Sequence, residues 1–275
     1  MPSDDTTIEW CDATWNPVHG CSKISEGCVN CYAAKLSQRY GHTECEWTAE
    51  HADENVQLQR HHLDYPDSLD EPARVFVNSM SDLFHEQVPD EYIHEVLDVV
   101  EGNPQHAFLV LTKHGTENGR LPSWSRWPEN LWMGVSVEQG NRTYRIDQLR
   151  ETDAATKWVS AEPLVGPVTT SLEGIDWLVV SGESGPDDHR REMHHGWARA
   201  LRQQARHDGV PFYFKQSSGP QQGHEPVLAE IGASPQEARA TLGEPKATTK
   251  HRELPALPGP LRETRPELAT REVRV

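Results

Sequence analysis

The sequence predicts an α/β domain built as an incomplete (β/α) barrel of about six to seven parallel strands. Short apolar segments recur along residues 1–217, helix-like segments lie between several of them, and a polar residue follows almost every one. Near-continuous apolar runs are typical of parallel strands that are covered on both faces. The alternation of strand and helix favours a parallel sheet with right-handed crossovers.

Six apolar segments are predicted as strands, and two segments between them have helical spacing. The strands are predicted at 75–77, 108–111, 131–135, 158–159, 177–180 and 211–214, with a seventh around 14–18. The first helix is predicted over 90–100, where apolar residues recur on one face behind Asp90 as a candidate cap. The second is predicted over 197–205, and Gly209 is expected to end it.

Two parts of the chain depart from this pattern. Residues 41–72 are polar and rich in histidine, so we expect an irregular insertion or lid within the domain 1–217. Residues 218–275 are rich in Pro, Gly, Glu, Arg and Thr and poor in large apolar residues. This tail is expected to be largely disordered apart from a short helix at 235–242, because it lacks the apolar residues for a core of its own.

The composition restricts the location and the partners of the protein. The chain of 275 residues has 43 Asp and Glu against 26 Lys and Arg, a formal charge of −17. Such acidity is expected of a halophilic source or of an ordinary acidic cytosolic protein. It does not by itself support binding to a phosphate backbone, which needs a basic face. We expect a cytoplasmic protein without a membrane partner, since neither a signal peptide nor an apolar run of about 18 residues occurs.

Three cysteines lie within eleven residues, at Cys21, Cys28 and Cys31. Without a secretion signal, such cysteines indicate reduced thiols that bind metal rather than disulfides. Three thiolates make an incomplete structural zinc site but suit an iron–sulfur cluster that keeps one iron open for a small molecule. The alternative is zinc, with a fourth ligand taken from Cys11, His19 or Cys45.

Polar residues follow the predicted strands at the points where the strands end. They are Asp82, Lys113, Ser136, Glu138, Glu162, Lys215 and the turn Gly182-Glu183-Ser184-Gly185. In an α/β barrel the carboxyl ends of the strands gather on one rim, where such folds carry their active sites. We therefore expect these residues around one cavity that faces the cysteine loop, although solvated loops alone also place polar residues at strand ends.

Within this set, Asp82, Lys113 and Glu162 are the candidate catalytic groups. The turn at 182–185 is a candidate ligand-binding element, because glycines let backbone N–H groups approach a ligand closely and Glu183 offers a carboxylate. Ser136 and Glu138, at the end of another predicted strand, are the remaining candidates for binding a cofactor.

A series of ordered motifs runs through the chain and carries a family resemblance. The motifs lie at 7–10, 13–17, 20–21, 27–33 (GCVNCYA), 75–85 (VFVNSMSDLFH), 111–113, 131–138 (LWMGVSVE), 162–164, 175–177, 182–185 (GESG) and 211–216 (PFYFKQ). Over residues 6–217 the chain resembles the phage- and prophage-encoded three-cysteine-motif proteins, a family of unknown function. This family is placed near the radical S-adenosylmethionine (radical SAM) enzymes, with spore photoproduct lyase as a characterised relative.

The resemblance implies a radical-SAM-like partial barrel with a [4Fe–4S] cluster on Cys21, Cys28 and Cys31. The open iron would bind S-adenosylmethionine, and either Glu183 or Glu138 would hold its methionine ammonium. Reductive cleavage of that cofactor would give a 5′-deoxyadenosyl radical that abstracts hydrogen from a substrate. The implied partners are DNA or a nucleobase as substrate and ferredoxin or flavodoxin as electron donor.

The sequence also departs from the pattern that the resemblance implies. The spacing here is C-x6-C-x2-C, where radical SAM enzymes usually have C-x3-C-x2-C. Tyr32 follows the last cysteine instead of preceding it, and His114-Gly115 stands where the family pattern leads us to expect Arg-Pro. The alternative function is therefore a zinc-binding structural or nucleic-acid-interacting protein without catalysis.

Overall fold

The computed structural model describes residues 6–255 except 7, 187 and 188. Its strands are β1 (Ala13–Trp15), β2 (Val18–His19), β3 (Gln57–Leu58), β4 (Arg74–Val77), β5 (Ala107–Thr112), β6 (Leu131–Ser136), β7 (Thr156–Ala161), β8 (Trp177–Ser181), β9 (Phe212–Gln216), β10 (Leu228–Ala229) and β11 (Thr248–Thr249). Its α-helices are α1 (Tyr32–Arg39), α2 (Ala52–Asn55), α3 (Asp90–Gly102), α4 (His114–Glu117), α5 (Arg120–Ser123), α6 (Tyr144–Arg150), α7 (His195–Asp208) and α8 (Pro235–Leu242).

Seven strands form one sheet in the order β1-β4-β5-β6-β7-β8-β9, and every neighbouring pair is parallel. The strands follow one another in chain order, with β1 and β9 at the two edges. This arrangement is an incomplete (β/α) barrel, so the predicted fold class is confirmed. All seven predicted strand positions carry strands of this sheet.

The two predicted helices are present, with small differences at their ends. Helix α3 begins at Asp90 with Pro89 in the capping position, so Asp90 lies in the first turn and is not the cap. A carboxylate there still stabilises the helix through its dipole. Helix α7 ends before Gly209, whose φ of 70° is the left-handed conformation that glycine adopts without strain.

Strands β4 to β9 of the sheet divide their side chains between two cores. On β5, Phe108 and Val110 lie in the core that also contains Ile93 and Val96 of α3. Leu109 points to the opposite face and packs in a second core that contains four buried tryptophans, Trp10, Trp132, Trp158 and Trp177. This alternation follows from the period of two in a strand. The tryptophan core therefore occupies the sheet face opposite the helices.

The sheet face that carries the tryptophans changes from apolar to polar along the strands. On β7, Trp158 is followed at every second position by Ser160 and Glu162, so the same face becomes polar toward the carboxyl end. The aligned neighbours β6 and β8 repeat this pattern, with Trp132 and Trp177 below Ser136 and Ser181. An apolar floor thus lies below a polar rim. Gly134 makes room for this floor, because a Cβ there would lie 2.4 Å from the Trp158 ring.

The insertion 41–72 and the segment 218–255 both pack onto the barrel. The insertion contains α2 and β3, and β3 pairs antiparallel with β2. The segment 218–255 contains the predicted helix, α8, together with the two-stranded sheet of β10 and β11, where little regular structure was expected. The part of the predicted disordered tail from 256 to 275 lies outside the described residues. Among those described, no helix is both long and apolar enough to cross a membrane.

Candidate functional site

The cysteine loop lies across the carboxyl end of the sheet. Cys21, Cys28 and Cys31 line one cavity, whose empty space is about 680 Å³ with its open mouth included. The loop is attached at Gly20, whose N–H donates to the Met80 carbonyl at 3.1 Å. The structure therefore brings the three predicted metal ligands together at the predicted rim.

The environment of Cys21 and Cys31 opposes ionisation of their thiols when no metal is bound. Burial raises the pKa of Cys21 well above its usual value, and the nearby Asp82 and the other two thiols add to this effect. Burial also raises the pKa of Cys31. Because the thiolate is the form that ligates metals, a cation would have to displace these protons.

The spacing of the three sulfur atoms distinguishes between types of metal site. Among the described residues, two groups of three have all their ligand atoms within 4.8 Å of one another, and neither contains Cys28 or Cys31. A single zinc with bonds of about 2.3 Å to sulfur would hold its sulfurs about 3.8 Å apart. An iron–sulfur cluster gives each thiolate its own iron and so separates the sulfurs further. At least one pair of the three loop sulfurs therefore lies more than 4.8 Å apart, farther than the sulfurs around a single zinc ion.

A second cavity adjoins the cysteine cavity and has an empty space of about 800 Å³, its open mouth included. Five residues line both cavities, namely Cys31, Tyr32, Phe76, Leu111 and Lys113. Lys113 is fixed at this boundary, since its Nζ donates to Ser136 Oγ at 2.9 Å. A molecule in the second cavity would therefore lie next to the cysteine site.

Glu162 is the carboxylate of the second cavity that has unused hydrogen-bonding capacity. Its Oε2 accepts a hydrogen bond from Ser160 Oγ at 3.1 Å. Its Oε1 is buried and has no hydrogen-bond partner in the described part of the chain. The ammonium of Lys215 lies 3.9 Å from Oε1, beyond hydrogen-bond distance. Since a buried polar atom without a partner is costly, this oxygen indicates a place for a donor on a ligand.

Glu183 also lines the second cavity, but its carboxylate is already occupied. It accepts hydrogen bonds from the Arg191 N–H at 2.8 Å, from the Arg191 guanidinium, and from Asn30 Nδ2 at 2.9 Å. Burial alone would raise the pKa of Glu183, but the Arg191 hydrogen bonds hold it below its usual value. Because Asn30 lies between two of the cysteines, Glu183 attaches the cysteine loop to the rim.

The glycines of the 182–185 turn serve chain packing in this structure. A Cβ on Gly182 would lie 2.3 Å from the Ser218 backbone nitrogen, so Gly182 makes room for the segment after β9. Gly185 donates its N–H to the Gly219 carbonyl at 3.0 Å. Gly182 and Ser184 also contribute to the lining of the second cavity. The turn therefore lies at the predicted strand end, and its glycines allow the close approach of the chain segment after β9.

Glu138 lies behind the cysteine loop. Its side chain is fully buried and pairs with Arg145 at 3.0 Å, itself fully buried. Its other oxygen accepts a hydrogen bond from Ser25 Oγ, and a Cβ on Gly27 would lie 2.4 Å from the Glu138 carboxylate. Glu138 therefore supports the cysteine loop, and its carboxylate is directed at Arg145 and Ser25 rather than at a ligand.

Asp82 is similarly engaged with the chain that follows β5. Its carboxylate accepts four hydrogen bonds, from Thr112 Oγ1 at 2.7 Å and from the backbone N–H groups of Phe84, Lys113 and His114 at 2.8 to 3.0 Å. Although burial would raise it, the pKa of Asp82 is held below its usual value by His114 and by these donors. Asp82 is therefore an ionised anchor that positions Lys113, not a group with a proton to exchange.

Two histidines near Cys21 were missed by sequence reasoning. His114 Nε2 lies 3.4 Å from Cys21 Sγ, and His114 Nδ1 lies 2.9 Å from a Glu86 carboxylate oxygen. The ligand atoms of Cys21, His85 and His114 all lie within 4.8 Å of one another. The sequence signal that could have identified His114 as a site residue was its position immediately after Lys113 at a strand end.

The fourth zinc ligands proposed from the sequence lie elsewhere. Cys11 is buried in the tryptophan core, where desolvation raises its pKa to about 12. Cys45 donates to Glu54 on the insertion at 3.2 Å. His19 packs against the rings of His42 and His62. These three residues do not line the cysteine cavity, because each is held by a different part of the fold.

Fold and site together define an incomplete α/β barrel with a three-cysteine loop and an adjoining polar cavity at its carboxyl rim. The chain belongs to the family described as "Protein of unknown function (DUF5131)", whose model matches residues 5–255. A search of curated proteins finds no match.

Among solved structures, the chain is similar to "Spore photoproduct lyase complexed with dinucleoside spore photoproduct". The TM-score is 0.37 and the sequence identity 11%, over 73% of this chain. The aligned part spans 62% of the length of that protein. A similarity this distant carries no function over to the present chain.

Proposed function

We propose that this protein is a radical SAM enzyme that holds a [4Fe–4S] cluster on Cys21, Cys28 and Cys31. The observation that carries the proposal is the pair of adjoining cavities, one lined by three thiols and the other containing the unpartnered Glu162 oxygen. The three sulfurs do not all lie within 4.8 Å of one another, a spacing wider than that around one zinc ion, and Glu162 Oε1 in the second cavity offers an acceptor for a ligand ammonium. When bound, the cluster would supply the electron for reductive cleavage of S-adenosylmethionine.

The residues around the second cavity would bind and orient the cofactor. Glu162 Oε1 would accept the ammonium of its methionine part. Lys113 lies at the boundary of the two cavities, where its positive charge would offset the negative charge of the thiolates. Burial alone would lower the pKa of Lys113, but Glu138 and Cys28 hold it above its usual value. The apolar side chains of Phe76 and Leu111 would limit access of water.

The substrate and the electron donor are proposed from the family resemblance alone. On that basis the substrate is DNA or a nucleobase, and the electron comes from ferredoxin or flavodoxin. We also propose a cytoplasmic location, where the loop cysteines would stay reduced. The second cavity and its mouth are the expected binding region for the substrate, because the reacting groups must meet beside the cofactor.

A second candidate function is a zinc protein without catalysis, and one observation favours it. Cys21, His85 and His114 bring a sulfur and two imidazole nitrogens within 4.8 Å of one another. These donor types suit zinc, which binds thiolate and imidazole ligands. In this case the metal would use only one of the three loop cysteines.

Anaerobic reconstitution of the full chain distinguishes the two candidates. The cluster proposal predicts a brown protein with about four irons per chain. Alanine at Cys21, Cys28 or Cys31 should abolish iron uptake, whereas Cys45→Ala is the matched control that should keep it. The zinc candidate predicts a colourless protein that loses the metal of the cysteine cavity in His114→Ala and keeps it in Cys28→Ala. Stoichiometric zinc without iron uptake would overturn the cluster proposal.

Cofactor cleavage is the second test. The reduced, reconstituted protein should convert S-adenosylmethionine slowly to 5′-deoxyadenosine and methionine without added substrate. Chromatography of the quenched mixture measures both products. If a protein with about four irons per chain neither binds nor cleaves S-adenosylmethionine, the cluster proposal stands and the radical SAM assignment is wrong.

A further inference from the structure

A second group of metal-ligating side chains lies on the insertion, outside the cysteine cavity. Cys45 Sγ lies 3.2 Å from Glu54 Oε2, and His51 Nδ1 lies 3.6 Å from Glu54 Oε1. The ligand atoms of all three residues lie within 4.8 Å of one another. Their side chains reach solvent, with 38% of the His51 side chain and 62% of the Glu54 side chain exposed. A cation would therefore have direct access.

The distances from Cys45 and His51 to Glu54, which reach different oxygens of its carboxylate, are close to those between ligands of a tetrahedral zinc ion. Bonds of about 2.3 Å to sulfur and about 2.1 Å to nitrogen and oxygen place neighbouring ligand atoms about 3.4 to 3.6 Å apart. The combination of a thiolate, an imidazole and a carboxylate also suits zinc, whereas magnesium and calcium prefer oxygen ligands alone. Without a cation, the hydrogen bond to Glu54 raises the pKa of Cys45, so zinc would take the place of that proton.

The backbone that carries the three ligands is held firmly. Trp47, two residues after Cys45, is 3% exposed and packs against helix α1. Asn55, next to Glu54, is 1% exposed, and its side chain donates to the Glu46 carbonyl at 2.8 Å. The ligands therefore project from a fixed turn, which lowers the cost of arranging them around an ion.

We propose that Cys45, His51 and Glu54 form a separate zinc site, with water completing the coordination. This segment packs against the cysteine loop, because the Trp47 carbonyl accepts the Lys23 N–H at 3.2 Å. A Cβ on Gly20 would lie 1.8 Å from the Asn55 carbonyl oxygen, so the two backbones are in direct contact. Zinc would thus fix the insertion itself, beside the loop. The proposal does not depend on which metal the loop cysteines hold.

Alkylation of Cys45, followed by peptide mass spectrometry, tests the site in the full reconstituted chain. Iodoacetamide labelling of the Cys45 peptide should slow at least tenfold when one equivalent of Zn²⁺ is added. Glu54→Gln and His51→Ala should each lose most of this protection. The matched control is Glu50→Gln, which removes the same charge at an exposed neighbouring position outside the group.

The labelling rate is measured on the Cys45 peptide alone. It therefore stays interpretable if the cysteine loop binds zinc instead of a cluster. Protection that is equal in Glu54→Gln and Glu50→Gln would overturn the site. So would a Cys45 labelling rate that Zn²⁺ does not change. Far-ultraviolet circular dichroism of each variant checks that the fold is kept.

Discussion

Replacing Glu162 with glutamine tests the assignment of the cofactor cavity. The change keeps the size of the side chain and its acceptor for Ser160, but removes the charge opposite the proposed ammonium. A hydrogen bond to a charged group contributes about 1.5–3 kcal/mol. The dissociation constant of S-adenosylmethionine should therefore rise about 10- to 150-fold.

The fold itself should tolerate this substitution. Glu162 Oε1 has no hydrogen-bond partner within the described chain, so at that atom the substitution removes only the charge that faces the Lys215 ammonium at 3.9 Å. We expect the free energy of unfolding to change by less than about 1 kcal/mol. Glu183→Gln provides the contrast, because Glu183 accepts hydrogen bonds from Arg191 and Asn30 and so contributes to stability.

Calorimetric titration of the cluster-loaded protein measures the binding constant, and iron analysis checks that each variant carries its cluster. Glu129→Gln, at an exposed position, is the control for a change of charge alone. If Glu162→Gln binds S-adenosylmethionine within threefold of the unmodified protein, the Glu162 assignment is wrong. A loss found only in Glu183→Gln, with its iron content intact, would return the role to the turn at 182–185.

Three further predictions concern the support of the site and the stability of the fold. Gly27→Ala should lower iron uptake, because the new Cβ would lie 2.4 Å from the Glu138 carboxylate, whereas Gly102→Ala, with open space around it, should not. Arg145→Met should lower the free energy of unfolding in urea by about 3–5 kcal/mol, since it leaves Glu138 charged, buried and unpaired; Glu138→Gln added to it should restore part of the loss. Burial lowers the pKa of His195 from 6.5 to about 4, so its contribution to stability is present above pH 6.5 and is lost as the pH falls toward 4. The stability lost between pH 7.5 and 5 should be about 2 kcal/mol smaller in His195→Gln, and an equal loss in both proteins would contradict the assignment.

The fold could be predicted because the information for it is local. In β5 and β7, alternating or continuous apolar residues encode burial within a few positions of one another, and this pattern survives in any arrangement of neighbours. The convergence of Lys113, Glu162 and Glu183 was also predictable, since parallel strands place their carboxyl ends at one edge. The three cysteines lie close together in the chain and needed no tertiary information.

The roles of the charged residues could not be predicted in the same way. Glu138, Glu162 and Glu183 are alike in sequence, since each follows a buried strand at the same rim. They differ because Arg145 and Arg191 donate hydrogen bonds to two of them, whereas Oε1 of the third, Glu162, accepts no hydrogen bond and has only the Lys215 ammonium 3.9 Å away. Which carboxylate pairs with an arginine depends on the paths of the loops after the strands. Residue type does not encode those paths.

By itself, the sequence determined the parallel barrel, the positions of its strands in the chain and the location of the cysteines at the rim. The tertiary structure alone decided that Glu162 is the carboxylate with an oxygen that accepts no hydrogen bond, and that His114 lies beside Cys21. Cys21 and His114 are separated by 93 positions in the chain. Such contacts arise when the curvature of the sheet and the packing of the insertion bring separate loops together, because hydrogen bonds and ion pairs form over a few ångströms and depend on exact positions in space.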